Sequence, residues 1–222
     1  MLSTILAKFP SIFFLVFIVF FAAIASANDG SFNLKKCSNT LSDSIIERKA
    51  LKGDIEAQYF LGKKYFSPSC SSSEQEKGLR FLMKASQGQH SGALYVLGYM
   101  LFETAQNDQE LNYALEHLKK SSQLGYPPAK TYFGSILLHN AQTEGEKIYA
   151  LELLRSAALA GDKDAASTLH HVYFSGLYNE PKNLCMASYW LDISKKKNRS
   201  DGVVSNTKAA DCFVENELKI SK

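Results

Sequence analysis

A period of 36 residues runs through the middle of the chain and limits what it can fold into. Alanine returns at this interval without slippage, and a large apolar residue four positions later keeps the same step. The alanines are Ala57, Ala93, Ala129 and Ala165, and the apolar residues are Leu61, Leu97, Phe133 and Leu169. Repetition at a fixed period of this length is typical of solenoids, in which each unit buries its apolar face against the next.

Each unit contains two segments with the apolar spacing of an amphipathic helix, as in AQYFLGKKYF and GLRFLMKAS of the first unit. The intervening segments, such as SPSCSSSEQ and TAQNDQE, are rich in residues that cap or break helices and therefore predict turns. We expect Gly88, Gly125 and Gly161 to end the second helices in the left-handed conformation. We expect Asp54 and Asp162 to cap the helices that follow. The pattern therefore predicts an all-α chain of helical hairpins.

Glycines inside the first helices are expected to serve close packing. Gly62, Gly98 and Gly134 recur in three of the four units, although a glycine in a helix costs about 1 kcal/mol relative to alanine. Each is expected to lie where a neighbouring helix crosses closely. The fourth unit has His170 in place of glycine and Ile193 in place of a small residue, so its packing should differ, with His170 packed or facing a cap.

The repeated pattern Ala-x-x-x-Leu-Gly-x-x-Tyr, followed after a turn by Ala-Leu-x-x-Leu-x-x-Ala-Ala-x-x-Gly-Asp, resembles the Sel1-like repeat, a relative of the tetratricopeptide repeat. The match is clearest in YALELLRSAALAGDKDAASTL at 149–169. The resemblance implies a right-handed α-solenoid of antiparallel helix pairs that binds other proteins. Four repeats are expected at 53–198, with an N-terminal cap at 28–52 and a C-terminal capping helix at 199–222.

The first 27 residues have the layout of a cleavable secretory signal peptide. Lys8 precedes an apolar run from Ile12 to Ile24, and the small residues of Ala25-Ser26-Ala27 follow it. The run is shorter than the roughly 20 residues that span a bilayer as a helix. We expect cleavage after Ala27, a periplasmic or secreted chain, and no stable membrane insertion after cleavage. The alternative is an uncleaved anchor.

An exported chain with four cysteines can form two disulfides. Four cysteines allow three pairings, and the sequence alone does not choose among them. Chain proximity favours Cys37 with Cys70 and Cys185 with Cys212, each tying a terminal segment to the neighbouring hairpin. No CxxC occurs and no histidine lies at ligand spacing from a cysteine, so the cysteines predict neither a metal site nor a dithiol redox centre.

Composition and motifs argue against several function classes. The chain has 25 basic and 22 acidic side chains, a balance that gives no electrostatic reason to expect nucleic acid or an anionic membrane as a partner. The sequence contains no HExxH, GxSxG or GxxxxGK[ST] motif. We therefore expect a protein without catalytic activity, metal or cofactor.

Partner contacts are expected on the first helices, at positions that stacking does not fix. Tyr95 and Tyr99 stand one helical turn apart and are the first choice, because tyrosine is common among interface hot spots. The alternative is that Tyr95 packs between neighbouring hairpins, as Tyr59 would. The full set is Tyr59, Lys63 and Ser67; Tyr95, Tyr99 and Glu103; Thr131, Ser135 and His139; Ser167, His171 and Ser175.

Together these features predict an exported, non-enzymatic scaffold or adaptor that binds one protein partner, a toxin-neutralising immunity protein or inhibitor being one form of that role. The alternative is an envelope protein that binds or hydrolyses peptidoglycan-type ligands, as described for some cysteine-rich relatives. Those relatives carry a cysteine pair in nearly every repeat, whereas the second and third units here have none. The single tryptophan, Trp190, holds a position expected to pack between neighbouring hairpins, not one expected to contact a sugar ring.

Overall fold

The computed structural model describes residues 37, 41–195 and 212 of the chain. It divides into two compact units, Met1–Gly88 and Gln89–Lys222. Within the described ranges every regular element is helical, and none of these helices has both the length and the apolarity needed to cross a membrane. The predicted signal peptide lies outside the described residues, as does the predicted C-terminal cap apart from Cys212.

The first unit contains three described helices: α1 (Leu41–Leu51), α2 (Ile55–Tyr65) and α3 (Ser72–Gln87). Helices α2 and α3 form the hairpin of the first repeat, and α1 packs against α2. Asp54 caps α2 as expected, its side chain accepting a hydrogen bond from the backbone N–H of Ala57 at 2.9 Å. One buried cluster of this unit consists of Ala50, Ala57, Leu61, Tyr65 and Phe81.

The second unit continues the pattern with three more hairpins among its described residues. A buried cluster runs through the last two of them, where Trp190 is only 3% exposed and Cys212 joins the same cluster. A short 3-10 turn, Leu177–Asn179, separates the two helices of the final hairpin. In order, the helices are α4 (Ser91–Thr104), α5 (Asp108–Gln123), α6 (Pro127–Asn140), α7 (Glu144–Leu159), α8 (Lys163–Ser175) and α9 (Leu184–Lys195).

The glycines inside the first helices lie at close crossings, and the helix that approaches is the second helix of the same hairpin. A Cβ atom at Gly62 would lie 2.8 Å from Cγ of Leu82, and one at Gly98 would lie 3.0 Å from Cγ of Leu118. In the fourth repeat, Nδ1 of His170 instead lies 2.9 Å from the carbonyl oxygen of Ala187 on α9. Because a carbonyl only accepts, His170 donates, and its side chain bridges the two helices that the other repeats bring together through glycine.

The expectation that Gly88 adopts the left-handed conformation was wrong by one residue. Gly88 has φ −75°, and the left-handed residue is Gln89, with φ 62°. A Cβ atom at Gly88 would lie 2.7 Å from Cδ1 of Ile55, so a larger residue there would require the exposed Ile55 side chain to shift. Gly125 and Gly161 are left-handed as expected, with φ 87° and 99°.

Candidate functional site

Two first helices of the second unit, α4 and α6, bring five aromatic rings together. Tyr95 and Tyr99 have ring centroids 6.2 Å apart on α4. Tyr126 lies 5.5 Å from Tyr95, and Tyr132 lies 5.0 Å from Tyr99. Phe102 completes the set at 5.6 Å from Tyr132. These five residues, called here the tyrosine cluster, are all partly exposed.

Helical spacing places the α4 members on one face. Tyr95, Tyr99 and Phe102 follow at steps of four and three residues, which are neighbours on a helix surface. Tyr132 lies on α6, and Tyr126 is the N-cap residue at its start. The cluster is therefore assembled from two successive repeats.

Tyr126 occupies a place that serves helix capping in the other repeats. The equivalent residues Asp54, His90 and Asp162 each accept a hydrogen bond from a backbone N–H three residues later. Tyr126 makes no such bond. The next two residues are prolines, which have no N–H, so the start of α6 has fewer donors to satisfy. The ring of Tyr126 contacts Tyr95 instead.

Glu103 lies at the edge of the cluster and accepts a hydrogen bond from the hydroxyl of Tyr132 at 2.6 Å. Burial, followed by this hydrogen bond, raises the pKa of Tyr132. Burial is also the largest cause that raises the pKa of Tyr95 to about 12, and burial followed by the charge of Glu103 raises the pKa of Tyr99. These three phenols therefore stay neutral at physiological pH and can donate hydrogen bonds.

The tyrosines of the first unit have a different environment. Nζ of Lys63 lies 5.7 Å from the ring centroid of Tyr59, and Nζ of Lys77 lies 5.0 Å from that of Tyr65. Tyr59 and Lys63 occupy the repeat positions that Tyr95 and Tyr99 occupy in the second repeat. The first unit thus places its own lysines over its tyrosine rings.

Two of the residues predicted to contact a partner, Tyr95 and Tyr99, belong to the cluster, and a third, Glu103, lies at its edge. Tyr59 and Lys63 form the separate pair in the first unit. No ring contact or hydrogen bond of the described residues joins Ser135, His139 or His171 to the cluster; Ser135 is partly exposed on α6, and the two histidines are exposed. The ring of His171 lies 5.2 Å from that of His170.

Four further positions of the predicted set also fall outside the cluster. Ser67 is 6% exposed and lies beyond the end of α2, where its carbonyl oxygen accepts a hydrogen bond from Gln75. Its predicted place on the inner face of the first helix was therefore wrong. Thr131 donates to the carbonyl oxygen of Pro127 within α6. Ser167 is partly exposed and Ser175 is exposed on α8.

Sequence reasoning missed Phe102, Tyr126 and Tyr132. Tyr132 lies one residue outside the phase used to choose contact positions, directly before Phe133 of the repeat pattern. Tyr126 precedes two prolines and lies outside the positions chosen from the repeat phase. The departure of Tyr126 from the Asp54 and Asp162 capping pattern was the signal that could have identified it.

Both expected disulfides are present, Cys37 with Cys70 and Cys185 with Cys212, with Cα atoms 5.5 Å apart in each. The sulfur atoms of Cys37 and Cys70 and a carboxylate oxygen of Glu74 lie within 4.8 Å of one another. Because these sulfurs are bonded to each other, they offer no thiolate to a metal ion.

Comparison with known proteins identifies the fold. No protein-family model matches the chain, and no curated protein matches it. Among solved structures it resembles c5321, a protective antigen of uropathogenic Escherichia coli with an SLR fold, at 22% identity and TM-score 0.58 over 70% of this chain and 33% of that one. It resembles a Sel1 repeat protein from Oxalobacter formigenes at 19% identity and TM-score 0.60, over 71% of this chain and 64% of that one.

The chain thus spans a third of the first of these proteins and just under two thirds of the second. A further match, to the immunity protein Pa5087 from Pseudomonas aeruginosa, has 18% identity and TM-score 0.44 over 82% of this chain and 80% of that one. The likeness to the first two confirms the prediction of an all-α fold built from Sel1-like helix pairs.

Proposed function

We propose, from the Sel1-like repeat fold that the chain adopts, that it is a non-enzymatic scaffold that binds another protein through the tyrosine cluster. The observation that carries this proposal is the gathering of four partly exposed tyrosines from two successive repeats. Tyrosine supplies a large, rigid contact area with a polar tip, at a low cost in conformational entropy. Repeat folds keep their stacking residues fixed and vary the exposed ones to suit a partner.

Export is part of this proposal. Two disulfides support an oxidising compartment, and the signal-like sequence at 1–27 supports a periplasmic or secreted location. Within that location, the proposed partner is a toxin, an effector or an envelope protein. The immunity or inhibitor form of the role is the narrower version of the same proposal.

A site-specific photo-crosslink tests the role of the cluster. Tyr99 is replaced by a photoreactive phenylalanine derivative, and the same derivative at Tyr149 serves as the control, because Tyr149 is 44% exposed on α7 and outside the cluster. We expect one protein of the native compartment to crosslink at position 99 and not at position 149.

Affinity measurements with the purified crosslinked protein then test the energetic importance of the cluster. Tyr99→Ala should weaken binding by about 30-fold or more, as for a hot-spot tyrosine, whereas Tyr149→Ala should leave it unchanged. Equal binding by both variants would refute the proposed site. Retention of peptidoglycan fragments, with no protein crosslinked at position 99, would favour the envelope-ligand alternative.

A further inference from the structure

In the first unit, lysines of the same chain lie over the faces of the tyrosine rings. Among the described residues, none lies over the rings of the tyrosine cluster. Lys63 lies over Tyr59 and Lys77 over Tyr65. At the position of Lys63, the second repeat has Tyr99. Within residues 41–195, no lysine or arginine lies over a ring of the cluster. The second repeat therefore has an aromatic ring where the first repeat has a cation.

The charges that act on the cluster are negative. Glu103 is exposed and accepts a hydrogen bond from the Tyr132 hydroxyl through Oε1, and, after burial, the charges of Asp162 and Asp164 contribute to the raised pKa of Tyr95. Lys130, on the same helix as Tyr132, points its Nζ at Oγ of Ser156, 2.8 Å away. Aromatic faces and carboxylates both attract cations, so the two kinds of group favour the same ligand.

We propose that the tyrosine cluster, with Glu103 at its edge, receives an arginine or lysine side chain presented by the partner protein. The partner would supply the cation that Lys63 and Lys77 supply in the first unit. This inference rests on the proposed function and names the chemistry of the partner. Arginine suits the site especially well, because its planar guanidinium can stack on a tyrosine ring while donating to a carboxylate.

The attraction must be local to the cluster. The whole chain carries a formal charge of +3, which would repel a basic segment weakly instead of drawing it in. Binding of a basic probe at this place would therefore report the aromatic faces and the adjoining carboxylates.

The test uses short peptides and the intact mature chain. The probe is an acetylated and amidated Gly-Arg-Gly-Arg-Gly peptide, followed by the tyrosine ring resonances in NMR titrations. A citrulline peptide of the same length is the neutral control, since citrulline keeps the shape of arginine without its charge. We expect the arginine peptide to shift the ring resonances of Tyr99 and Tyr132, and the citrulline peptide to bind more weakly.

Variants then assign the effect to named groups. Tyr99→Leu keeps apolar volume but removes one aromatic face, and Glu103→Gln keeps the side-chain shape but removes the charge. Each should weaken binding of the arginine peptide about 2- to 5-fold, the effect of one exposed cation–π or charge contact. Tyr149→Leu is the matched control and should have no effect.

Equal binding of the arginine and citrulline peptides, or unshifted ring resonances of the cluster, would overturn the inference. The outcomes also separate the two proposals. If a protein crosslinks at position 99 but the arginine and citrulline peptides bind equally, the proposed function stands and only the inference about a cationic side chain is overturned. Charge-dependent peptide binding without any crosslinked protein would overturn the proposed function, and with it the partner protein as the source of the cation, although the preference of the cluster for cations would remain.

Discussion

Gln89 departs from the repeat pattern, because it has a side chain at a position where the backbone conformation favours glycine. The residues at this step in the other repeats are Gly53, Gly125 and Gly161, and all four positions have positive φ, between 62° and 99°. For an L-residue this conformation costs about 1–2 kcal/mol. Glycine avoids that cost because it has no Cβ.

We expect Gln89→Gly to raise the free energy of unfolding by about 0.5–1 kcal/mol, part of the gain being offset by the greater entropy of glycine in the unfolded chain. Urea denaturation followed by circular dichroism measures the change. Gly125→Gln is the matched reverse substitution, since a Cβ there meets nothing within 4 Å, and it should lower the free energy of unfolding. A loss of stability in Gln89→Gly would show that the Gln89 side chain contributes more than its backbone costs.

At the scale of the helix, the capping box at the start of α7 links stability to pH. The side chain of Thr143 accepts a hydrogen bond from the N–H of Glu146, and the Glu146 carboxylate accepts from the N–H groups of Gln142 and Thr143. These backbone hydrogen bonds lower the pKa of Glu146 below its ordinary value of 4.5. A lowered folded-state pKa means that this contribution is present above pH 4.5 and is lost as the pH falls through the folded value.

Thr143→Ala should therefore lower the free energy of unfolding by about 1 kcal/mol at pH 7. Glu146→Gln should flatten the decline in stability on acidification below about pH 4.5. Glu152→Gln, which removes the same charge from an exposed position of α7, should leave that decline as it is. Denaturant titrations at pH 7 and at pH 3 compare the three variants, and identical pH profiles for the two glutamine variants would contradict the role of the capping box.

At the scale of the whole molecule, each unit has its own disulfide. Cys37–Cys70 lies in the first unit, and Cys185–Cys212 lies in the second. The two covalent links lie near the two ends of the described residues, and each restricts the unfolded chain of the segment that it closes. Trp190, buried on the same helix as Cys185, is the only tryptophan and reports on the second of these segments.

We expect reduction of the Cys185–Cys212 disulfide to lower the stability of its hairpin by about 2–4 kcal/mol. Tryptophan fluorescence during denaturation with and without reductant measures the change. The variant Cys185→Ser with Cys212→Ser should unfold at the lower midpoint in both conditions. An unchanged midpoint in the native chain, once thiol titration has shown all four cysteines to be reduced, would rule out a stabilising role.

The fold could be predicted from the sequence because its determinants are periodic. Helical geometry fixes which residues of each repeat face inward, and a constant step of 36 residues carries that assignment along the chain. The disulfide pairing followed from proximity along the chain. The candidate site was only half predicted: Tyr95, Tyr99 and Glu103 lie on a regular helix face, whereas Tyr126 enters the cluster from a cap position. Ser67 was misplaced because α2 ends at Tyr65, and helix ends depend on local turns that periodicity does not encode.

The construction of the tyrosine cluster from two repeats restricts how the chain can evolve. Duplication or loss of a single 36-residue block would keep the packing phase and is a common route by which repeat proteins change length. Loss of a block with one boundary between Glu103 and Tyr126 would remove either the α4 rings or Tyr126 and Tyr132, whereas a tandem duplication would keep one intact copy of the cluster. Deletions elsewhere in the array can therefore change the number of hairpins, but a deletion that preserves the cluster must leave the second and third repeats next to each other.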